Sequence, residues 1–300
     1  MLTPQATVPS LPVIVGGLIW QMSQGEARLP ATDALLSGPA MATALGVAAS
    51  GEPLQLLVAV PQAASANALR LLRALDADGT LWRRLPQAPL RWHTPAVIGT
   101  HRRWQLDGDP RGWSAPASAA VLSGRVLALT NGPPAAYAAM LASAIPRFTA
   151  FDLDARWAPS QPAALAACVR LADLLTLTRT DYQNLPPSVL AGSGAGQPGG
   201  SLLIIKDGAN GVDLLADGKH LHLPPAAING PLRTDVGAGD LLLGLLAARL
   251  GRLPAPPTLD DCAVAYLAAL PVLAKLLGSA SLIAFAHALL ALRPEACDAL

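Results

Sequence analysis

Charge is scarce in this 300-residue chain, and its two signs nearly cancel. Charged residues make up 14% of the sequence, and the net charge is +1. Proteins that bind nucleic acid or anionic membranes normally carry a basic excess. We therefore expect neither nucleic acid nor a membrane as a partner. Hydrophobic residues make up 52% of the chain, which is enough for a large buried core.

Cysteine is also scarce, and its spacing excludes the common cysteine-based sites. The three cysteines, Cys168, Cys262 and Cys297, are an odd number without CxxC spacing. This pattern is typical of reduced thiols in a cytoplasmic protein, not of disulfides or a metal site. His220 and His222 alternate in a probable strand, but no third ligand is near in sequence, so we interpret them as surface residues.

The sequence has no uninterrupted apolar run long enough to cross a bilayer, which takes about 20 residues. The longest candidate, residues 263–292, is broken by Pro271, Lys275, Gly278 and His287. Two buried helices explain it better. The first twelve residues lack a basic region followed by an apolar core, so we expect no secretory signal and a cytoplasmic location.

Short apolar runs alternate with helical patterns along most of the chain. The runs predict strands, and an Asp217-Gly218 pair predicts the tip of a hairpin between 212–215 and 219–223. Such alternation predicts a parallel sheet with helices on both faces. The predicted strands are 11–15, 54–60, 125–130, 148–153, 174–177 and 201–206, and the predicted helices include 37–49, 64–75, 135–144 and 161–172.

Residues 80–113 differ in character, since four of the six tryptophans lie there among arginines. Basic residues with interleaved aromatics can mark a nucleic-acid surface. The low overall charge favours a small β lid or a dimer surface instead. An exposed lid sheet would make a homodimer reasonable.

Glycine-rich turns occur at two places. Residues 192–196 resemble a dinucleotide fingerprint, but no strand precedes them and Pro198 follows, so we expect a flexible loop. Residues 234–240 read Thr-Asp-Val-Gly-Ala-Gly-Asp and lead directly into an apolar helix. The first amides of such a helix are free to bind an anion. Asp240 would then be either a helix-stabilising carboxylate, worth about 0.3–1 kcal/mol, or a general base beside a phosphoryl group.

The segment from Gly237 to Asp240 resembles the DTxGAGD signature of the ribokinase (PfkB) family of carbohydrate and nucleoside kinases. Further segments follow in that family's order and extend the resemblance over about residues 11–290. They are Val15-Gly16 with Gln21, residues 37–42 (GGxxxN), residues 152–156 (DxNxR), residues 173–181 (DxxxxNxxE) and residues 206–211 ((T/K)xGxxG).

The resemblance implies a ribokinase-like three-layer α/β/α fold with a mainly parallel central sheet and a small β lid. It implies one domain over residues 1–300, with lid segments at about 18–36 and 80–115. The implied activity is ATP-dependent transfer of the γ-phosphate to a hydroxyl of a sugar, a nucleoside or a related alcohol.

The resemblance also implies roles for individual residues. Asp240 takes the proton from the acceptor, while the amides of Gly237, Ala238 and Gly239 hold the transferred phosphate. Asp181 helps to place Mg²⁺. The nucleotide side comprises Thr178, Lys206, Gly208 and Gly211, where Lys206 and the glycines act through backbone geometry; Thr178 and Asp181 are also ordinary capping residues.

On the acceptor side the resemblance implies Gln21, Gly38 and Arg156, and here the sequence departs most from the family. Gln21 replaces an Asp and Ala42 an Asn. The losses suggest a less hydroxylated acceptor, packed against Trp20 or Met22, or a catalytically inactive relative that binds a nucleotide or metabolite.

Two further points stay open. Arg156 either contacts the acceptor or the phosphate, or forms a structural ion pair with Asp152 or Asp154. Thr234 stands where many relatives have the first Asp of the signature, which puts a K⁺ site in doubt.

Overall fold

The structure is a computed structural model that describes residues 11–16, 21–24, 27–28, 38–62, 64, 66–77, 79–85, 91–94, 105–107, 119–191, 194, 200–233, 237–280 and 282–291. Its strands are β1 (Val13–Val15), β2 (Gln21–Gln24), β3 (Ala27–Arg28), β4 (Gln55–Leu57), β5 (Ala59–Pro61), β6 (Arg83–Leu85), β7 (Arg91–Thr94), β8 (Gln105–Asp107), β9 (Val126–Leu129), β10 (Phe148–Asp152), β11 (Leu174–Thr178), β12 (Leu202–Lys206), β13 (Val212–Ala216) and β14 (Lys219–Leu223). Its helices are α1 (Pro39–Ala49), α2 (Ala66–Leu75), α3 (Ala119–Leu122), α4 (Pro134–Leu141), α5 (Pro162–Leu171), α6 (Arg179–Asn184), α7 (Pro187–Leu190), α8 (Ala238–Leu250), α9 (Leu259–Leu277) and α10 (Leu282–Leu290).

The central sheet has eight strands in the order β14-β13-β12-β11-β10-β9-β1-β4. Six neighbouring strands of this sheet are parallel, namely β12, β11, β10, β9, β1 and β4. The hairpin β13–β14 extends this sheet in antiparallel pairing. Its turn has Asp217 and Gly218 at φ 51° and 72°, as the Asp-Gly pair predicts. The prediction of a mainly parallel sheet is confirmed.

Successive residues of each parallel strand point to opposite faces of the sheet, and both faces are covered by helices. Ile14 packs on the face that carries α1, α2, α8, α9 and α10. Val13 and Val15 pack on the other face, with α4 and α5. Burial on both faces explains why the strands read as unbroken apolar runs, and the result is the three-layer arrangement.

Helices α1 and α8 touch backbone to backbone. A side chain on Gly46 would begin 2.2 Å from the carbonyl oxygen of Leu241, and one on Gly244 would begin 2.0 Å from that of Thr43. Only glycine allows this approach. This contact fixes the position of α8 relative to α1. The first turn of α8 lies at the predicted site, so the contact also fixes that turn.

The predicted strand at residues 54–60 is wrong in one respect, because two strands occupy it. Strand β4 belongs to the central sheet, whereas β5 leaves it after Val58 and pairs with β6 in a separate two-stranded sheet. Asp76 stabilises this change of direction. Its carboxylate accepts hydrogen bonds from the Leu56 amide (2.8 Å) and the Trp82 indole (2.9 Å).

A further four-stranded sheet, in the order β3-β2-β7-β8, is built from strands of the two segments predicted for the lid. That this sheet closes over a site stays a prediction. Within the described residues, no helix is both long and apolar enough to span a membrane.

Candidate functional site

A glycine and four polar residues follow or end five neighbouring parallel strands at one edge of the central sheet. Gly16 follows β1 and Asn131 lies two residues after β9, while Asp152, Thr178 and Lys206 end β10, β11 and β12. Ligands of open α/β sheets bind outside the carboxyl ends of the strands. The sheet therefore gathers the predicted nucleotide-side residues at one edge, and α8 adds its first turn.

Helix α8 begins at Ala238, and Gly237 is its N-cap residue. Gly237 is in the left-handed region, with φ 82°, and a side chain there would begin 3.0 Å from the Ala42 methyl group. Both constraints favour glycine. The amides of the first turn have no intrahelical partner, so they are available to an anion.

Asp240, in this first turn, has a carboxyl oxygen that is buried and has no hydrogen-bond partner in the described part of the chain. Burial, reinforced by the charge of Asp152, raises the pKa of Asp240 to about 7, although the charge of Lys206 opposes the rise. A carboxylate with this pKa is suited to accept a proton near neutral pH. Because its Oδ1 is unpaired, a bound ligand could supply the missing partner.

The side chain of Lys206 enters the site, which the sequence analysis did not predict. We expected Lys206 to act through backbone geometry, but the Lys206 ammonium lies 2.5 Å from Asp152 Oδ1. The same Asp152 oxygen accepts a 2.5 Å hydrogen bond from the Thr176 hydroxyl. Burial acts to lower the pKa of Lys206, but the charges of Asp152, Asp240 and Asp181 outweigh it, so the pKa rises and Lys206 stays cationic.

Thr178 and Asp181 form the start of α6. The Thr178 hydroxyl accepts from the Asp181 amide (3.0 Å) and donates to Asp181 Oδ2 (2.5 Å). The other oxygen, Oδ1, accepts from the Ala155 amide (3.1 Å). Burial and the charges of Asp154 and Asp152 raise the pKa of Asp181 despite these bonds. Thr178 and Asp181 thus act as capping residues. Asp181 is also near enough to Asp152 and Asp154 to feel their charges, and a cation would stabilise these three carboxylates.

These carboxylates are suited to Mg²⁺ only where water and substrate phosphates supply the other metal ligands. Within the described ranges, no cluster of three His, Cys, Asp or Glu residues could hold a metal by itself. Mg²⁺ is usually held by one or two carboxylates together with water and substrate phosphates. Asp181 suits that arrangement. Thr234, which bears on K⁺, lies outside the described residues.

Arg156 forms the structural ion pair that was one of its two interpretations. Its Nε donates to Asp154 Oδ2 at 2.8 Å, and the guanidinium also bonds that oxygen through Nη2. Asn131 donates to the same oxygen (2.6 Å) and accepts from the Trp157 indole (3.2 Å). The Arg156 side chain is 55% exposed. Asn131 was not predicted from the sequence. Its place two residues after the end of β9 is the signal that could have identified it.

The turn after β12 contains Gly208 and Gly211. Gly211 has φ 92°, and a side chain there would begin 2.1 Å from the Leu223 carbonyl oxygen. Arg179, the first residue of α6, bonds Asp207 in this turn (3.4 Å) and Asp213 in β13. Gly208 and Gly211 therefore shape a turn that Arg179 ties to the site.

The two histidines of β14 share a third polar partner, Asp213 in β13. Asp213 Oδ1 lies 2.8 Å from His222 Nδ1 and 3.0 Å from His220 Nε2. Both imidazoles are more than half exposed, so they are surface residues as predicted. Arg179 also forms an ion pair with Asp213. Arg179, His220 and His222 therefore surround one carboxylate.

The predicted acceptor residues are only partly described. Gly38 caps α1 with φ 107°, and the following turn brings Ala42 against Gly237. Gln21 lies in β2, where its backbone pairs with Arg91, but its side chain, that of Met22 and all of Trp20 lie outside the described residues.

Comparisons with known proteins identify the fold. No protein-family model matches the sequence, and no curated protein matches it significantly. Solved structures do match. An uncharacterized sugar kinase from Pyrococcus horikoshii has a TM-score of 0.64 at 16% identity, covering 94% of this chain and 100% of its own.

Two further solved structures agree with it. Ribokinase from Cryptococcus neoformans in complex with ADP has a TM-score of 0.65 at 16% identity, covering 95% of this chain and 99% of its own. Aminoimidazole riboside kinase from Salmonella enterica has a TM-score of 0.61 at 16% identity, covering 93% and 97%. The chain therefore has the ribokinase-like fold of these sugar and nucleoside kinases.

Proposed function

We propose that this protein is a divergent member of the ribokinase (PfkB) family, an ATP-dependent kinase that transfers the γ-phosphate to an alcohol. The observation that carries the proposal is the unpaired, buried carboxyl oxygen of Asp240 in the first turn of α8. A proton acceptor with a pKa of about 7 stands there beside free amides that can bind an anion. The fold, shared with sugar and nucleoside kinases, supports it.

In this proposal each residue of the site has a separate role in phosphoryl transfer. Asp240 takes the proton of the acceptor hydroxyl, which makes its oxygen a better nucleophile. The first-turn amides of α8 and the Lys206 ammonium stabilise negative charge on the phosphoryl oxygens. Mg²⁺, bound with the help of Asp181, would supply further neutralisation of phosphate charge.

The proposed location and assembly follow the sequence analysis. The described thiols, Cys168 and Cys262, are buried and form no disulfide, and burial raises the pKa of each to about 12. Such thiols are inert and fit a reducing compartment such as the cytoplasm. A homodimer through the lid sheet remains our proposal for its assembly, with a small-molecule acceptor as the substrate.

The test is phosphoryl transfer from ATP and Mg²⁺ to a pooled panel of sugars, nucleosides and other hydroxymethyl compounds, followed by mass spectrometry. We expect a product 80 Da heavier than one acceptor, the mass of an added HPO₃ group on transfer of the γ-phosphate. The product should disappear in the Asp240→Asn variant. A wild-type protein that binds no ATP would refute the proposal.

One observation favours a second candidate, a non-catalytic nucleotide-binding relative. On the acceptor side, Ala42 offers only a methyl group against Gly237, and Asn131, Asp154 and Arg156 bond one another. In the described part of the acceptor side, these three polar side chains are therefore engaged with one another. Tight ATP binding with no product from any acceptor, and with unchanged affinity in Asp240→Asn, would support this candidate.

A further inference from the structure

The Lys206 ammonium lies directly against the start of α8. A side chain on Gly239, the second residue of that helix, would begin 2.9 Å from Lys206 Nζ. The Lys206 side chain is only 14% exposed, as is that of its partner Asp152. The ammonium thus occupies the space that a larger residue at position 239 would fill, beside the amides available to an anion.

Lys206 has competing carboxylates on three elements. Asp152 at the end of β10 is in direct contact, while Asp240 on α8 and Asp181 on α6 act through their charge. Asp152 has a second partner in Thr176 on β11, whose hydroxyl donates to the same oxygen. Asp152 therefore keeps a hydrogen bond if Lys206 leaves it, so the ion pair can open without orphaning the carboxylate.

We propose that Lys206 is a mobile ligand for the terminal phosphate of a nucleoside triphosphate, held in reserve by Asp152 and released to the anion bound at the first turn of α8. A lysine ammonium on its flexible stem can move between two anionic partners, each within hydrogen-bonding reach. Since a diphosphate lacks the terminal group, Lys206 selects the triphosphate. This inference rests on the proposed function, because it assumes a nucleotide at this site.

The proposal predicts opposite effects for the two members of the pair. Lys206→Met removes the phosphate ligand, so affinity for a non-hydrolysable ATP analogue with Mg²⁺ should fall at least about tenfold, the loss of one charge-assisted contact. Affinity for ADP with Mg²⁺ should change less than about threefold. Asp152→Asn frees Lys206 from its competitor, so the ATP analogue should bind more tightly. A purely structural ion pair would change the affinities for the ATP analogue and for ADP together, so the ratio of the two affinities is the deciding readout.

Isothermal titration calorimetry with both nucleotides measures these affinities. Lys219→Met is the matched control, because it removes the same charge from an exposed position on the same sheet. Lys206→Met removes the cation that offsets the charges of Asp152, Asp240 and Asp181 and could unfold the protein. The double variant Asp152→Asn, Lys206→Met keeps the charge balance and should show the same loss of selectivity for the triphosphate.

The outcomes separate this inference from the function on which it rests. Wild-type protein that binds neither nucleotide would overturn both. Wild-type protein that binds and transfers phosphate, with Lys206→Met and the double variant keeping the wild-type ratio of the two affinities, would overturn only the role of Lys206. A weaker ATP analogue in Lys206→Met and a tighter one in Asp152→Asn, each with nearly unchanged affinity for ADP, would establish it.

Discussion

The hydroxyl of Thr43 donates a 3.0 Å hydrogen bond to the main-chain carbonyl of Asp240. Thr43 is fully buried in α1, so this bond ties the first turn of α8 to a helix on the same face of the sheet. Together with the glycine contacts between α1 and α8, it fixes where the Asp240 carboxylate stands. The proposed base is therefore held by packing, on a helix and not on a mobile loop.

Two glycines of α8 should respond in opposite ways to alanine. At Gly244 the new methyl group would meet the Thr43 carbonyl oxygen at 2.0 Å, so we expect a loss of about 3 kcal/mol or more in the free energy of unfolding. At Gly239 it would meet only the end of the Lys206 side chain. Alanine also favours helix by up to about 1 kcal/mol, so Gly239→Ala should fold normally.

Chemical denaturation and phosphoryl-transfer assays of the two variants distinguish these effects. Gly239→Ala should lose activity because the methyl group displaces the Lys206 ammonium. Full activity in Gly239→Ala, or normal stability in Gly244→Ala, would contradict the packing described for α8.

Asp240→Asn should remove activity and increase stability at pH 8. We expect kcat to fall by about 10²–10⁴-fold, the usual contribution of a general base. The folded-state pKa of about 7 lies above the ordinary value of about 3.9. The folded protein then binds the proton more strongly than the unfolded chain, so stability decreases as pH rises between these two values.

The corresponding destabilisation above pH 7 is as much as about 4 kcal/mol, at about 1.4 kcal/mol per unit of pKa. Asp240→Asn carries no such charge, so thermal unfolding at pH 8 should show a higher Tm than the wild type. Asp260→Asn, the same change at an exposed position in the first turn of α9, is the control and should alter neither property. A lower Tm for Asp240→Asn at pH 8 would refute the raised pKa.

The pH dependence of kcat/KM should show an acid limb near pH 7. Since Asp240 must be deprotonated to accept the proton, kcat/KM should fall about tenfold per unit below its pKa and level off above it. Lys206 lowers the pKa of Asp240, so Lys206→Met should move the limb to higher pH. A flat profile between about pH 5 and 8 would argue against Asp240 as the base.

Asp181→Asn should raise the Mg²⁺ concentration required for half-maximal activity by about tenfold or more, because a metal ligand or its orienting partner is lost. Calorimetric titration of ADP with and without Mg²⁺ gives a readout independent of turnover. The wild type should bind ADP more tightly with Mg²⁺, and the variant should lose that gain. Asp217→Asn at the exposed hairpin tip is the control, and an equal effect there would show that Asp181 has no special role.

The sequence by itself determined the parallel strands of the central sheet, most helices and the start of α8. The parallel strands are buried on both faces, so their apolar runs are continuous and easy to recognise. The hairpin tip and the left-handed Gly237 follow from local backbone preference, which acts within a few residues. Gly237 and Asp240 could be placed together because they lie in one helical turn.

Only the tertiary structure decided which distant side chains meet. The Lys206 ammonium reaches Asp152 and Gly239 because β12, β10 and α8 converge at one sheet edge, although these residues are far apart in sequence. The departure of β5 after Val58 likewise depends on Asp76, a partner outside the strand. Local patterns specify elements, but the charge environment of Asp240, and so its pKa, arises only from packing between them.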